Sequence, residues 1–234
     1  MPQSEQDRRT AELPLPGQSM PPEDPWEAAC LRFESPEQEI AKFARRLLQL
    51  GAAEWPRNAE IVELFCGRGN GLHALRRLGF THLEGVDLSP RLVALYQGPA
   101  KCRVGDCRRL PFADHSKDVL IVQGGLHHLP ALPDDLALTL AEMQRVLRKD
   151  GRVMIVEPWL TPFLRFVHAV SGNRLARRLS SKVDALATMI HYEQQTYAQW
   201  LSQPQLIRKL VRARFTPIHE SFAWGKWNFL GKPR

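Results

Sequence analysis

The sequence predicts an α/β fold, in which a doubly wound, mostly parallel seven-stranded sheet carries helices on both faces. Short apolar runs alternate with helical patterns between residues 60 and 157, and this alternation is typical of parallel strands joined by right-handed crossovers. Polar residues end five of the predicted strands: Glu63, Asp87, Asp106, Gln123 and Glu157. Because ligands of such sheets bind at the carboxyl ends of the strands, these side chains should lie along one edge.

The predicted elements follow in order. Residues 1–25 are rich in Pro, Gln, Glu and Ser and have no hydrophobic period, so we expect a disordered or loosely held arm. Residues 26–33 should pack on the domain and could cover the ligand, and the capping box Ser35-Pro36-Glu37-Gln38 predicts a helix that runs to Leu50. Strands are expected at about 60–65, 82–87, 101–105, 117–122, 152–157, 217–223 and 226–230, and further helices at about 72–79, 91–96, 134–148, 163–170, 173–190 and 203–214.

We expect one domain over residues 26–234, with residues 160–201 inserted after the fifth strand as a helical lid. The sequence has no run of about 18 apolar residues and no secretory leader pattern, which predicts a cytoplasmic protein. Its four cysteines lack metal-ligand spacing, so they read as free thiols in a reducing compartment and no metal is expected.

The net charge of +7 is concentrated in the last third of the chain. From Leu160 onward there are twelve Lys+Arg and three Asp+Glu, a balance of +9, which leaves −2 for the remainder. Such a surface could meet nucleic acid, anionic lipid or an acidic small substrate. The alternating apolar residues favour the simpler interpretation, the solvated faces of amphipathic helices.

A glycine-rich turn follows the first strand of the predicted sheet. Gly67, Gly69 and Gly71 permit a tight turn and close approach of a ligand to the backbone. A dinucleotide fingerprint requires a third glycine at the position of Leu72, so that match is incomplete. Asp87 has the spacing to bind ribose hydroxyls, and the additional acid Asp106 could accept the exocyclic amine of an adenine.

Five ordered segments carry a family resemblance: Glu-Leu-Phe-Cys-Gly-Arg-Gly, Gly-Val-Asp-Leu-Ser, Gly-Asp-Cys-Arg-Arg-Leu-Pro-Phe, Leu-His-His-Leu, and Arg-Val-Leu-Arg-Lys-Asp-Gly-Arg-Val-Met-Ile-Val-Glu-Pro. Together they resemble the class I S-adenosylmethionine-dependent methyltransferases, in the type 11 branch that includes ubiquinone- and menaquinone-biosynthesis enzymes. The resemblance covers residues 61–158 strongly and the last two strands weakly. It implies a Rossmann-like methyltransferase fold and S-adenosyl-L-methionine as cofactor.

The resemblance also implies roles for residues at the methionine end of the cofactor. Glu63, Gly67 and Gly69 would line this end, and Gln123 would lie beside the methionine amino group through its backbone. Phe65 departs from the family pattern, because it occupies the position where the family usually has the first glycine of the loop.

At the nucleoside end, the resemblance implies that Asp87 holds the ribose and that Leu88 lies against the adenine. Asp106 and Cys107 would meet the adenine edge. These four residues come from the ends of the second and third predicted strands.

Two histidines follow the fourth strand, where they would face the transferred methyl group. His127, which we favour slightly, or His128 could be a general base, since histidine titrates near neutrality; alternatively one caps a turn and the other packs in the core. Glu157 could orient an acceptor or pair with an arginine. Trp159 could stack on the acceptor, and Tyr192 could shape the site from the lid, although aromatic residues at helical spacing more often form core.

The leading hypothesis is therefore methylation of an O, N or C nucleophile on a small molecule. An RNA or protein target is the alternative that the basic C-terminal third allows, but no Asn-Pro-Pro-Tyr-type motif and no RNA-binding module supports it. A non-catalytic cofactor-binding subunit is a third hypothesis. The predicted helix at 163–170 could lie on a membrane or clasp an isoprenoid chain, with ordinary lid packing as its simpler role.

Overall fold

A seven-stranded sheet with helices on both faces forms the centre of the computed structural model, which describes residues 24–234. The strand order is β3-β2-β1-β4-β5-β7-β6, with β1 to β5 parallel and β7 antiparallel to both β5 and β6. The predicted sheet is thus confirmed. Its strands are β1 (Ile61–Leu64), β2 (Leu83–Asp87), β3 (Lys101–Val104), β4 (Lys117–Gln123), β5 (Leu147–Pro158), β6 (Phe215–Ala223) and β7 (Lys226–Pro233).

Local sequence signals begin several of the helices. Ser35 accepts a hydrogen bond from the Gln38 N–H while Gln38 accepts one from the Ser35 N–H, so the predicted capping box is present. Ser89 caps α4 in a similar way. The helices are α1 (Pro25–Phe33), α2 (Pro36–Gln49), α3 (Asn70–Arg77), α4 (Pro90–Ala94), α5 (Asp134–Val146), α6 (Pro162–Gly172), α7 (Arg174–Leu179), α8 (Ser181–Tyr192), α9 (Gln194–Ser202) and α10 (Pro204–Arg214).

Two of the predicted boundaries differ most from the structure. Strand β5 begins at Leu147, five residues before the expected start, because Leu147 is buried and pairs with Lys117. The helix predicted over 173–190 is divided at Ser180, whose side chain accepts from the Val183 N–H and caps α8. The predicted arm lies outside the described residues except for Asp24 and Pro25, where α1 already begins.

The core has two parts, one on each face of the sheet. In β1, Val62 and Leu64 belong to one cluster while Ile61 belongs to the other, as the two-residue period of a strand requires. Strand β4 repeats the pattern with Leu120 and Ile121. The central strands are therefore buried on both faces, and only their carboxyl ends are open to a ligand.

The helices α6 to α9 lie between β5 and β6, at the position of the predicted insertion. Trp200 of α9 is fully buried, and its indole N–H donates a hydrogen bond of 2.9 Å to the Pro158 carbonyl at the end of β5. Helix α1 packs against α8, where Lys182 Nζ lies 3.2 Å from Glu34 Oε1. No helix within residues 24–234 is both long and apolar enough to cross a membrane.

Replacing Trp200 with phenylalanine should lower the free energy of unfolding by about 2 kcal/mol, because a smaller ring leaves a void and the Pro158 carbonyl loses its donor. Urea titration followed by far-ultraviolet circular dichroism measures this change. Trp224→Phe is the matched control, since Trp224 is 78% exposed and should change stability by no more than about 0.5 kcal/mol. Equal effects of the two substitutions would contradict this account of how the insertion is fixed.

Candidate active site

A cavity of about 1010 Å³ lies at the carboxyl ends of β1, β2 and β4. Residues of helices α1, α2, α6 and α8 also line it. Its size suits a cofactor together with a second small molecule. Nine of the residues predicted from the sequence line it: Glu63, Gly67, Asp87, Leu88, Asp106, Cys107, Gln123, His127 and His128.

Glu63 is the most deeply buried acid among these lining residues. Its Oε1 lies 3.5 Å from Gln123 Nε2, whereas its Oε2 is buried with no hydrogen-bond partner among the described residues. Burial raises the pKa of this carboxyl group to about 8. A Cβ on Gly71 would lie 1.8 Å from Glu63 Oε1, so the carboxyl group occupies space that only glycine leaves free.

Gln123 contributes its side chain, whereas the resemblance implied a backbone role. Its Oε1 accepts a hydrogen bond of 3.1 Å from Arg46 Nη1, so Arg46, Gln123 and Glu63 form a chain of contacts. Burial lowers the pKa of Arg46. Sequence reasoning missed Arg46, although a signal exists: it follows Phe43 by three residues on the otherwise apolar face of α2.

Asp87 receives a backbone donor at each carboxylate oxygen. The Gly67 N–H donates to Oδ2 at 2.7 Å, and the Ser89 N–H donates to Oδ1 at 2.9 Å. Burial raises the pKa of Asp87, and these two bonds oppose that effect. Leu88 is 66% exposed beside it. The acid is therefore held in place at the end of β2 with an apolar side chain next to it.

Residues with positive φ angles occur at both ends of the glycine turn. Gly67 and Gly69 have φ values of 52° and 79°, and Phe65 also has a positive φ of 56°. Gly69 was expected to line the cofactor site, but it does not line the cavity. A Cβ there would lie 2.1 Å from the Tyr96 ring, so the absence of a side chain allows this ring to pack against the turn. The Phe65 ring covers Gly125, where a Cβ would lie 2.2 Å from the ring. Gly125 thus makes room for the residue that departs from the family pattern.

Asp106 and Cys107 both lie in the cavity wall, but protein groups engage their side chains. Arg108 Nη2 donates to Asp106 Oδ2 at 2.7 Å and lowers the pKa of that acid. Cys107 Sγ lies 3.5 Å from Thr139 Oγ1, and burial raises the pKa of the thiol to about 11. At neutral pH the Cys107 side chain is therefore an uncharged thiol.

His127 lies between two carboxylates. Its Nδ1 is 2.7 Å from Glu157 Oε2, and its Nε2 is 3.5 Å from Glu193 Oε2. Burial alone would lower the pKa of His127, but the charges and hydrogen bonds of Glu157 and Glu193 raise it to about 9. His127 is thus protonated at neutral pH, which disagrees with the expectation that it is a free base.

His128 has the opposite character. Burial, and then the charge of His127, lower its pKa to about 4, so it is neutral. Its Nδ1 lies 3.5 Å from Glu193 Oε1, which also accepts from the Trp26 indole N–H. The ligand atoms of His127, His128 and Glu193 lie within 4.8 Å of one another, and this set could hold a metal ion. Hydrogen bonds already engage part of this set, from His127 to Glu157 and from Trp26 to Glu193.

The three residues expected to contact an acceptor do not line the cavity. Glu157 is fully buried and accepts 2.8 Å bonds from the Gly125 and Leu126 N–H groups, so its partner is His127 and not an arginine. Trp159 packs against Phe222 and Trp227, each at 5.3 Å between ring centroids. Tyr192 is 56% exposed and packs on His191. Trp159 thus packs on the antiparallel pair β6–β7, and Tyr192 lies at the end of α8, so neither aromatic residue lines the cavity.

Two further cavity residues lacked a sequence signal. Glu193 follows the last residue of α8, and Lys226 is the first residue of β7. Both reach the cavity only through the way in which the insertion and the β6–β7 hairpin pack on the sheet. A one-dimensional pattern does not report such packing.

Comparison with known proteins shows which family the central region is similar to. A family model described as a methyltransferase domain matches residues 62–155. The chain is 29% identical over 185 residues to the demethylmenaquinone methyltransferase of Mycobacterium marinum, which covers 76% of this chain and 74% of that protein. It is 34% identical over 151 residues to the ubiquinone/menaquinone biosynthesis C-methyltransferase UbiE of Geotalea uraniireducens, covering 54% and 63%. The match to the Geotalea daltonii enzyme spans half the length of that relative.

Solved structures share the fold at low sequence identity. The PH0226 protein of Pyrococcus horikoshii aligns with a TM-score of 0.61 at 17% identity, covering 87% of this chain and 96% of that one. A TehB-like SAM-dependent methyltransferase of Corynebacterium glutamicum aligns with a TM-score of 0.52 at 18% identity, covering 81% and 88%. These likenesses confirm the Rossmann-like architecture of the sheet.

Glu63→Gln should change how stability depends on pH. In the unfolded chain the carboxyl group ionises above about pH 4.5, whereas in the folded protein its pKa is about 8, so the wild-type protein loses stability as pH rises between these values. Glutamine carries no such proton. The melting temperature of the variant relative to wild type should therefore increase from pH 5 to pH 8 and level off above, as measured by differential scanning fluorimetry. A difference that is constant across this range would contradict the raised pKa.

Proposed function

We propose that this chain, which belongs to the class I S-adenosylmethionine-dependent methyltransferases of the type 11 branch, methylates an O, N or C nucleophile of an amphipathic small molecule. The observation that carries this proposal is the division of one cavity into a polar end, at the strand termini, and an apolar remainder. Apolar cavity residues come from α1, α6 and α8: Trp26, Leu31, Phe33, Phe163, Leu164, Val167, Leu186, Met189 and Ile190.

The residues at the strand ends fit the cofactor. The buried Glu63 Oε2 that lacks a partner suits the methionine ammonium group, and the nearby Arg46 suits the methionine carboxylate. Asp87, held by two backbone donors, offers its remaining lone pairs to the ribose hydroxyls. Leu88 would cover the adenine, with Asp106 and Cys107 at the adenine edge. These roles are proposals that the cavity geometry supports.

When bound, S-adenosylmethionine supplies an electrophilic methyl group on a sulfonium. The chain has mainly to hold the acceptor in line with this group and to exclude water, and alignment alone can contribute roughly 7 to 11 kcal/mol. Both ring nitrogens of protonated His127 face carboxylates, so His127 would position Glu193 at the cavity wall. Neutral His128 would accept a hydrogen bond from a hydroxyl or amine acceptor and so orient it. A carbon nucleophile that arrives ionised needs no base.

The quinone-methylating relatives support an aromatic acceptor that carries an apolar tail. In this proposal the tail lies against α6 and α8, so residues 160–201 act as a lid. Phe166, Leu175 and Leu179 are exposed on the same insertion. Peripheral contact of this surface with a membrane stays a prediction.

An RNA or protein target gains no support from the basic C-terminal third. Glu220 pairs with Arg208 and with Arg212, and Asp184 pairs with Arg177, so several of its cations are engaged within the chain. This arrangement is typical of solvated helix faces. The cavity, by contrast, is explained most simply as a binding site for small molecules.

Binding of S-adenosylhomocysteine tests the cofactor site. Isothermal titration calorimetry should show one site, and Asp87→Ala or Arg46→Met should weaken it roughly tenfold or more, because each removes a charged hydrogen-bonding group. Arg45→Met is the matched control, since Arg45 is the neighbouring residue on α2 and does not line the cavity. Absence of binding by the wild-type protein would overturn the proposed function.

Transfer to an acceptor is tested with reduced naphthoquinones that differ in the length of an isoprenoid tail. Mass spectrometry should detect a product heavier by one methylene group, and its yield should rise with tail length because the lid offers an apolar wall. Product formation only from tail-free or strongly polar acceptors would contradict the amphipathic class. No product from an untargeted metabolite extract, with S-adenosylhomocysteine binding intact, would favour a non-catalytic role.

A further inference from the structure

Five cationic side chains line the cavity, and three of them have carboxylate partners. Lys42 pairs with Glu34, Arg68 pairs with Glu39 at 3.0 Å, and Arg108 pairs with Asp106 at 2.7 Å. The ion pairs found within residues 24–234 include neither Arg46 nor Lys226. Two of these five cations, Arg46 and Lys226, therefore form no direct ion pair within the described part of the chain.

The contacts of Arg46 place it at the cofactor end. Its guanidinium donates to Gln123, which in turn contacts Glu63, and this chain of contacts leads to the proposed methionine site. Lys226 shares none of these contacts. It lies on a different element, the first residue of β7, opposite Pro158 in the sheet.

A tight hairpin turn holds Lys226 at the cavity wall. Trp224 and Gly225 have φ values of 51° and 73°, a left-handed pair that favours glycine and is uncommon for tryptophan. The Trp159 N–H donates to the Gly225 carbonyl at 2.9 Å, and a Cβ on Gly225 would approach Leu164 to 3.2 Å. Packing on β5 and on α6 thus keeps the turn in a costly conformation, which is common at functional sites.

The nearest charges to the Lys226 amine are of both signs, and the cations have the larger effect. Burial, and then the charge of Arg46, lower its pKa to about 8, with Lys42 acting in the same direction. Glu157 and Glu193 act in the opposite direction but do not offset these effects. Lys226 is half-buried and lines the cavity, so an anionic group bound beside its amine would offset the repulsion from Arg46 and Lys42.

We propose that Lys226 binds an anionic oxygen of the methyl acceptor, either a carboxylate or an ionised hydroxyl on an aromatic or enolic group. This inference rests on the proposed function and narrows it to acidic amphipathic acceptors. The apolar residues Phe163 and Leu164 beside the hairpin would contact the acceptor next to its anionic group. The other source of such an anion is the cofactor's own carboxylate, which the experiment separates from the acceptor.

The test uses 2-naphthoate and its neutral methyl ester as probes, titrated into the protein saturated with S-adenosylhomocysteine. The wild-type protein should bind the acid roughly tenfold more tightly than the ester. Lys226→Met should remove this preference by weakening the acid alone, and Lys226→Arg should restore most of it. Lys232→Met, on the same strand but exposed and outside the cavity, should behave as wild type.

Equal affinity for acid and ester in the wild-type protein, or no binding of the acid, would overturn the proposal. Loss of S-adenosylhomocysteine binding by Lys226→Met would also overturn it, because the anion would then be the cofactor's carboxylate. If wild type itself fails to bind S-adenosylhomocysteine, the proposed function fails first. The two failures are thereby distinguished.

Discussion

The buried carboxylate of Glu157 holds together the part of the cavity wall that contains His127 and His128. A buried charge must be paired and hydrogen-bonded, and Glu157 meets this requirement with the Gly125 and Leu126 N–H groups on one oxygen and His127 on the other. These contacts join the end of β5 to the loop after β4. His127 carries the connection onward to Glu193, which lies at the end of α8. One buried charge thus links the sheet to the insertion that covers the cavity.

At the end of the cavity proposed for the cofactor, the buried acid Glu63 has incomplete hydrogen bonding. Glu63 has one oxygen near Gln123 and a second without a partner, above a glycine that leaves space for it. A protein that was only a scaffold would gain stability by satisfying or removing such a group. The Glu63 oxygen without a hydrogen-bond partner and the nearby guanidinium of Arg46 fit the proposed binding of a zwitterion, the methionine end of the cofactor.

Features that depend on short stretches of sequence were predictable. The alternation of strands and helices, the cap at Ser35 and the acids Glu63 and Asp87 all follow from local patterns, because parallel strands necessarily gather their carboxyl ends. The contacts that arise between distant elements were not predictable. Trp159 turned out to pack on an antiparallel hairpin formed some 60 residues later, and Lys226 reaches the cavity from that same hairpin. No local period encodes either placement.

A crystal structure of the complex with S-adenosylhomocysteine would show whether these residues hold the cofactor. The ligand amino group should lie within about 3 Å of Glu63 Oε2, its carboxylate beside Arg46 and its ribose hydroxyls on Asp87. The sulfur atom should then face the wall formed by His127 and His128. An amino group bound elsewhere while Glu63 Oε2 stays without a partner would contradict the account.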